Sequence, residues 1–141
     1  MKHASILIVE DDQGIQDMLM YALEADGYTL YQATTVKDAW QLIENKAIDL
    51  VLLDYDMPGM NDLDGLRRAM ELNGGKPVAL MSGIARKAVA EAALSLGCAG
   101  FLPKTMAARS LVNAVRFMAM GEQYAPIDFM TAKEAEAPAH P

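Results

Sequence analysis

The sequence predicts one α/β domain in which a five-stranded parallel sheet is covered by helices on both faces. Short, nearly uninterrupted apolar runs indicate strands buried on both sides. These runs alternate strictly with helical patterns, and most connections are short. Parallel neighbours of this kind are joined by right-handed crossovers. With 141 residues and 52% apolar content, the chain is large enough to form a packed core.

Five apolar runs have the length of strands, and each is followed by room for a helix. They cover residues 5–9, 29–33, 50–53, 78–81 and 100–102. The first run is too short for a membrane span or for the core of a signal peptide. We therefore predict a cytoplasmic protein that does not enter a membrane.

The first helix shows an apolar stripe with i, i+3, i+4 spacing, which predicts a core-facing side. The stripe consists of Ile15, Met18, Leu19, Ala22 and Leu23. Its polar face is predicted to carry Gln16, Asp17 and Glu24, and Gly27 is predicted to follow its end.

The other helices follow by the same reasoning. Thr35 is predicted to cap the second helix, and a long loop over residues 57–65 leads to the third. The fourth helix is predicted to end before Gly97 and the fifth near Gly121. The predicted core residues of these helices are Ala39, Leu42, Ile43, Leu66, Ala69, Met70, Val89, Ala92, Ala93, Leu96, Leu111, Val115 and Met118. Phe117 and Met120 lie outside this set and could form a docking or dimer patch.

Composition narrows the possible functions. A net charge of −7 and a pI near 4.7 argue against nucleic-acid binding by this chain itself, because Lys and Arg carry most of that affinity. Cys98 is the only cysteine and is predicted to be a buried free thiol, which fits a reducing compartment. Residues 1–121 form the predicted domain, and residues 122–141, rich in Ala, Glu and Pro, read as a linker or tail.

Acidic residues follow two of the apolar runs. Glu10, Asp11 and Asp12 end the first run, and Asp54 ends the third. The carboxyl ends of parallel strands border the ligand crevice of such sheets, so these groups can converge there. Close carboxylates repel one another unless a cation lies between them, and an all-oxygen ligand set suits Mg²⁺. Phosphoryl chemistry is the first hypothesis.

Three more side chains follow the fourth and fifth runs, namely Ser82, Phe101 and Lys104. An aspartate can attack phosphorus and hold the group as an acyl phosphate. A magnesium ion and a lysine can neutralise the negative charge of the transferred group. A serine hydroxyl can donate a hydrogen bond to it.

These residues lie in motifs that identify a family. The motifs are Val9-Glu10-Asp11-Asp12, Leu53-Asp54-Tyr55-Asp56-Met57-Pro58-Gly59, Met81-Ser82-Gly83 and Gly100-Phe101-Leu102-Pro103-Lys104. Over residues 2–121 the chain resembles the receiver domain of two-component response regulators, most closely receivers joined to a helix-turn-helix DNA-binding output domain. The resemblance implies a flavodoxin-like (βα)5 fold with strand order 2-1-3-4-5.

The resemblance also implies residue roles. Asp54 would be the phosphoacceptor, with Ser82 and Lys104 as its catalytic partners. The implied Mg²⁺ ligands are Glu10, Asp11, Asp54 and the backbone carbonyl of Asp56. Ser82 and Phe101 would form the switch that changes the surface of the fourth helix, fifth strand and fifth helix.

By the same resemblance, the phosphoryl group comes from a histidine kinase or a histidine phosphotransfer protein. The receiver would be a signalling switch that catalyses only its own phosphorylation and dephosphorylation, and homodimers are a family expectation. Three departures from the usual pattern stand out. Thr105 follows Lys104 at the position where many receivers have proline. Residues 61–63 read as an insertion before Gly65. Asp56 and Ile84 occupy positions that in the family tune the rate of phosphoryl loss.

Two other functions are compatible with parts of this sequence. Asp54-Tyr55-Asp56 matches the Asp-x-Asp motif of haloacid-dehalogenase-like phosphatases. In that family, however, the nucleophile follows the first strand, and the chain has no cap domain. A pure interaction module that has lost phosphorylation is the third possibility, and the full set of acids, hydroxyl and lysine argues against it.

Overall fold

The computed structural model describes residues 4–83 and 87–125. Its elements are β1 (Ser5–Val9), α1 (Gln13–Ala25), β2 (Thr29–Ala33), α2 (Val36–Asn45), β3 (Leu50–Asp54), α3 (Asp64–Leu72), β4 (Val78–Ser82), α4 (Lys87–Ser95), β5 (Gly100–Pro103) and α5 (Ala108–Ala119). The strands form one parallel sheet in the order β2-β1-β3-β4-β5. The predicted fold class and strand order are confirmed.

Two apolar layers cover the sheet, because successive strand residues point to opposite faces. On one face, Ile6 and Leu52 pack with Leu23 of α1 and Val115 of α5. On the other face, side chains such as Leu53 pack with residues of α2, α3 and α4. All of β3 and β4 is buried, which explains why their runs are continuously apolar.

Helix α1 differs from its prediction at two positions. Leu19 and Leu23 are buried as expected, but Met18 is 40% exposed and Gln16, predicted on the polar face, is fully buried. With a turn of roughly 100° per residue, the buried direction runs between Leu19, Leu23 and Gln16 and leaves Met18 on the solvent side. A stripe chosen by hydrophobicity alone was therefore rotated away from the true one.

The predicted helix ends agree with the structure. The hydroxyl of Thr35 accepts from Asp38 N at 3.1 Å and caps α2. Asp12 caps α1 in the same way, accepting from Ile15 N at 3.0 Å. Gly27 follows α1 with φ at 93°, a left-handed conformation that favours glycine.

Residues 61–63, predicted from the resemblance to be an insertion, lie in the loop between β3 and α3. Asn61 and Asp62 have φ angles of 49° and 57°, which are uncommon for residues with a side chain. Gly65 N donates to Met60 O at 2.7 Å, and the Met60 side chain folds over Gly65. A Cβ atom at residue 65 would overlap Met60 Sδ, so any larger residue there would force the Met60 side chain to move.

Contacts with the domain continue beyond Gly121. Tyr124 forms a parallel bridge with Gly100, with Tyr124 N donating to Ala99 O at 2.8 Å and Phe101 N donating to Tyr124 O at 3.2 Å. The side-chain amide of Gln123 donates to Leu94 O and Cys98 O, each at 3.0 Å. Residues 122–125 therefore extend the sheet beside β5, whereas the rest of the predicted tail lies outside the described residues.

None of the helices within residues 4–83 and 87–125 has both the length and the apolar character that crossing a membrane would require.

Candidate functional site

Strand register brings the predicted residues to one edge of the sheet. Val9 lies opposite Leu53 and Asp54 lies opposite Met81. The residues that directly follow these strands therefore converge, although they are far apart in the sequence. β5 continues the same edge, because Lys104 N donates to Ser82 O at 2.9 Å.

Three acids meet at this edge. Glu10, Asp11 and Asp54 each offer a carboxylate oxygen, and these oxygens lie within 4.8 Å of one another. Glu10 and Asp54 are buried, whereas Asp11 is exposed. Oxygen donors at this spacing, with one side open to solvent, suit a hard divalent cation that keeps some of its water.

Lys104 neutralises the buried part of the cluster. Its Nζ lies 2.9 Å from Glu10 Oε1 and 2.9 Å from Asp54 Oδ2, and its side chain is only 13% exposed. Burial opposes the charged ammonium, but the hydrogen bonds to both carboxylates outweigh it and raise the pKa of Lys104. Burial also raises the pKa of Glu10, against the opposite effect of its hydrogen bond with Lys104.

Both oxygens of Asp54 have partners. Oδ2 faces Lys104, and Oδ1 accepts from the backbone N–H of Asp56 at 2.9 Å. The carboxylate is thus held at the end of β3 with a fixed orientation. Because the carboxylate is already oriented, its reaction with a phosphorus centre would not require the entropy loss of ordering this side chain first.

Ser82 lies next to this pair and is 2% exposed. Its Oγ makes a long hydrogen bond of 3.4 Å with Asp56 Oδ2, which also accepts from Gly83 N at 3.2 Å. The family resemblance implies that Asp56 supplies a backbone carbonyl and lies at a position that tunes phosphoryl loss, and in the structure its carboxylate also contacts the predicted switch hydroxyl.

A profile of the response regulator receiver domain family matches residues 6–116. The chain belongs to the response regulator receiver family. The match includes the acidic cluster, Asp54, Ser82 and Lys104, so the geometry above is that of a receiver domain.

Known proteins agree with the receiver assignment. The chain is 30% identical to a probable transcriptional regulatory protein of Picosynechococcus over 86% of this chain and 51% of the relative. It is 29% identical to the phosphate regulon transcriptional regulatory protein PhoB of Pseudomonas aeruginosa over 88% of this chain and 57% of the relative. The chain thus spans about half the length of these curated relatives.

Solved structures show the same receiver fold. A LuxR family DNA-binding response regulator from Silicibacter pomeroyi superposes with a TM-score of 0.76 at 33% identity. The match covers 87% of this chain and 97% of the other. A CheY-like receiver domain protein from Methanospirillum hungatei gives a TM-score of 0.78 at 28% identity, over 85% and 96% of the two chains.

Phe101 and Ile84 complete the set of residues singled out for this receiver domain. Phe101 has no exposed surface and packs in the layer that contains residues of α2, α3 and α4. Any rotation of this ring therefore requires the surrounding layer to repack. Ile84 lies outside the described residues.

Sequence reasoning missed two residues of the receiver site. Asp12, read as an extra acid, caps α1, and its backbone N–H donates to Glu10 Oε2 at 3.1 Å. Its position directly before a helix with a periodic apolar stripe was the sequence signal that could have predicted this cap. Gln16 is the second, with its amide buried at the ends of β1 and β2, and no sequence signal separated it from its polar neighbours.

Proposed function

We propose that this receiver domain accepts a phosphoryl group on Asp54 and acts as a conformational switch in a two-component phosphorelay. The observation that carries the proposal is Lys104 Nζ at 2.9 Å from both Asp54 and Glu10. This arrangement keeps a nucleophilic carboxylate beside a cation that can pair with the oxygens of an incoming phosphoryl group.

The donor would be the phosphohistidine of a histidine kinase or phosphotransfer protein. A carboxylate oxygen of Asp54 forms a bond to phosphorus, the bond between phosphorus and the imidazole nitrogen breaks, and that nitrogen keeps the electron pair and takes up a proton. Glu10, Asp11, Asp54 and the backbone carbonyl of Asp56 would hold Mg²⁺, which neutralises negative charge on the transferred group. In this proposal the chain turns over no other substrate.

Ser82 and Phe101 would convert the new charge into a change of shape. Ser82 would leave Asp56 Oδ2 and donate to a phosphoryl oxygen, because that bond is available only after phosphorylation. Phe101 would then repack, and the surface formed by α4, β5 and α5 would change. We propose that this surface serves homodimer formation, and that Phe117 and Met120 of the α5 region, 42% and 75% exposed, contribute to it.

The longer relatives suggest the setting of this switch. Two of them are named as transcriptional regulatory proteins and are about twice the length of the matched region. We propose that residues 1–121 form the receiver and residues 122–141 a linker or tail. Transcription regulation by this cytoplasmic system would come from a DNA-binding output domain, since the acidic receiver itself does not suit nucleic acid.

Intact mass spectrometry after incubation with acetyl phosphate and Mg²⁺ tests the proposal. The wild type should gain one phosphoryl mass, Asp54→Asn should gain none, and EDTA should prevent the gain. Asp56→Asn is the matched control, because it removes the neighbouring acid but leaves the nucleophile, and it should still be labelled. Labelling of Asp54→Asn equal to wild type would disprove the assignment.

A phosphatase assay separates the haloacid-dehalogenase-like alternative. An enzyme of that class would turn over a phosphomonoester continuously, and it would need both acids of the Asp54-Tyr55-Asp56 motif. We expect no turnover above that of Asp54→Asn. Sustained hydrolysis that is lost in both Asp54→Asn and Asp56→Asn would favour the phosphatase.

A further inference from the structure

Gln16 is a buried polar side chain beneath the proposed site. It lies in the first turn of α1 and has no exposed surface. Its Nε2 donates to Glu10 O at 3.1 Å and to Ala33 O at 3.3 Å. The amide therefore joins the carboxyl ends of β1 and β2, one residue beyond the last paired position of β1.

This linkage continues the sheet where its backbone ladder ends. Val9 and Ala33 form the last register pair of β1 and β2, and Glu10 N donates to Ala33 O at 3.0 Å. The Gln16 amide adds a bond to the carbonyl of Glu10, so the Glu10 peptide is held on both its N–H and its C=O sides. Glu10 is the residue at which the chain leaves the strand for the acidic cluster.

Holding the Glu10 backbone also fixes its carboxylate. Oε2 accepts from Asp12 N at 3.1 Å, and Oε1 lies 2.9 Å from Lys104 Nζ. Asp11, the exposed member of the acidic cluster, directly follows Glu10. A shift of the Glu10 peptide would move two of the three acids of the cluster together.

The choice of glutamine has a cost for stability. Gln16 Oε1 is buried and has no hydrogen-bond partner among the described residues. An unpaired buried polar atom is unfavourable, and an apolar side chain of similar length would avoid that penalty. The N–H groups of the amide, which bind the two strand ends, are what an apolar replacement would lose.

We propose that Gln16 is a positioning residue of the metal and phosphoryl site, acting through the backbone of Glu10. The inference rests on the proposed function for the role of the cluster. In this proposal, a buried residue of α1 determines the distances between the acids and Lys104.

Magnesium affinity of the unphosphorylated protein tests this role. Gln16→Met keeps the length and burial of the side chain but removes both N–H donors. It should raise the Mg²⁺ Kd, measured by calorimetry, roughly 10-fold, the low end of the loss seen when residues that orient metal ligands are replaced. Leu23→Val is the matched control, because Leu23 is a buried residue of the same helix that packs in the core. It should lower the melting temperature and leave the Kd unchanged.

A metal-free measurement gives an independent readout. The amide proton of Asp12 donates to the Glu10 carboxylate, so its chemical shift reports the position of that carboxylate. It should move in Gln16→Met and remain in place in Leu23→Val. If Gln16→Met does not fold, Gln16→Asn takes its place, since its amide is one methylene too short to reach both carbonyls and the same results are expected.

Wild-type Mg²⁺ affinity together with an unshifted Asp12 amide in the Gln16 variants would overturn the positioning role. That outcome is independent of the phosphoryl donor, so it is distinguishable from failure of the proposed function, which would appear as an unlabelled wild type. Wild-type protein that binds no Mg²⁺ would overturn the metal assignment as well as the role of Gln16.

Discussion

At the scale of single residues, Lys104 connects the two buried carboxylates of the site. It is the described cation that contacts both buried carboxylates of the site, at 2.9 Å each. Removing one member of a buried ion pair leaves the other charges without compensation, which costs more than the pair itself contributes. The stability of the resting protein should therefore depend on this side chain.

Lys104→Met should lower the free energy of unfolding by about 3 kcal/mol in magnesium-free buffer, since the aliphatic stem remains and only the charge is lost. Added Mg²⁺ should restore more stability to the variant than to the wild type, because the ion replaces the missing positive charge. Urea denaturation with and without Mg²⁺ measures both effects. The exposed Lys76 supplies the control, and an equal loss in Lys76→Met would contradict the explanation.

Cys98 gives a second prediction at this scale. It is 1% exposed, and burial raises the pKa of its thiol to about 11. Its Sγ donates a hydrogen bond to Gly100 O at 3.5 Å. At pH 8 the native protein should react slowly with a disulfide reagent, because the thiolate is the reactive form. Reaction in urea should be fast and follow unfolding, and rapid modification of the native protein would show that the thiol is accessible.

Residue-level prediction from sequence anticipated which side chains converge at the edge of the sheet, but it failed inside α1. The closeness of Asp54 and Lys104 was predictable because each follows an apolar run that ends at the same edge of the sheet. Gln16 was missed because a buried amide looks like any surface polar residue when its partners are backbone carbonyls of distant strands. Met18 was misplaced because hydrophobicity alone does not fix the rotation of a helix.

At the scale of elements, α1 and α5 are joined by an ion pair on the surface. Arg116 Nε donates to Asp26 Oδ2 at 3.0 Å, and its NH2 group donates to Oδ1. Asp26 caps the end of α1, and Arg116 lies in the last turn of α5. The pair therefore holds together the ends of two neighbouring helices.

The hydrogen bond from Arg116 lowers the pKa of Asp26 below its ordinary value. A carboxyl group with a lower pKa in the folded state stabilises the fold above its unfolded pKa, and this contribution is lost as the pH falls through the folded value. Asp26→Asn should therefore lose a small, salt-sensitive stability at pH 7. In urea unfolding, the difference from wild type should shrink as the pH falls below the ordinary carboxyl pKa of 3.8, and a difference that stays constant there would exclude the ion pair as its cause.

Element boundaries were predictable where burial is complete. The runs at 50–53 and 78–81 match β3 and β4 to within one residue, because both faces of these strands lie in the core. The loop before α3 was not predictable in detail. Two of its features have no local sequence pattern that predicts them: the left-handed conformations of Asn61 and Asp62, and the packing of Met60 over Gly65.

At the scale of the whole molecule, contacts with the domain continue beyond the end of α5. The backbone of Tyr124 and the side chain of Gln123 make hydrogen bonds with β5 and with the segment around α4. Composition had placed the start of the linker or tail at residue 122, because the segment carries no strand pattern of its own. Its structure depends on the edge of β5. The backbone bonds of Tyr124 are independent of side-chain type, whereas those of Gln123 require its amide.

Truncation separates these four residues from the remainder. A chain that ends at Gly121 should unfold cooperatively but with about 1 to 3 kcal/mol less stability, because five hydrogen bonds of residues 122–124 are lost and each has a net worth well below its gross energy. A chain that ends at Ala125 should match the full-length protein in thermal unfolding. Equal stability of the two truncated chains would mean that the bridge to Gly100 contributes nothing, and loss of the transition in both would place residues 126–141 in the folded core.

The bridge between Tyr124 and Gly100 also fixes the position of the chain just after α5. Gly100 begins β5, whereas Lys104 follows its last residue, so the bridge and the acidic site lie at opposite ends of this strand. Four residues of strand separate them by roughly 13 Å. If Asp54 is phosphorylated as proposed, a conformational change that starts at the acidic site must span this distance to reach Tyr124.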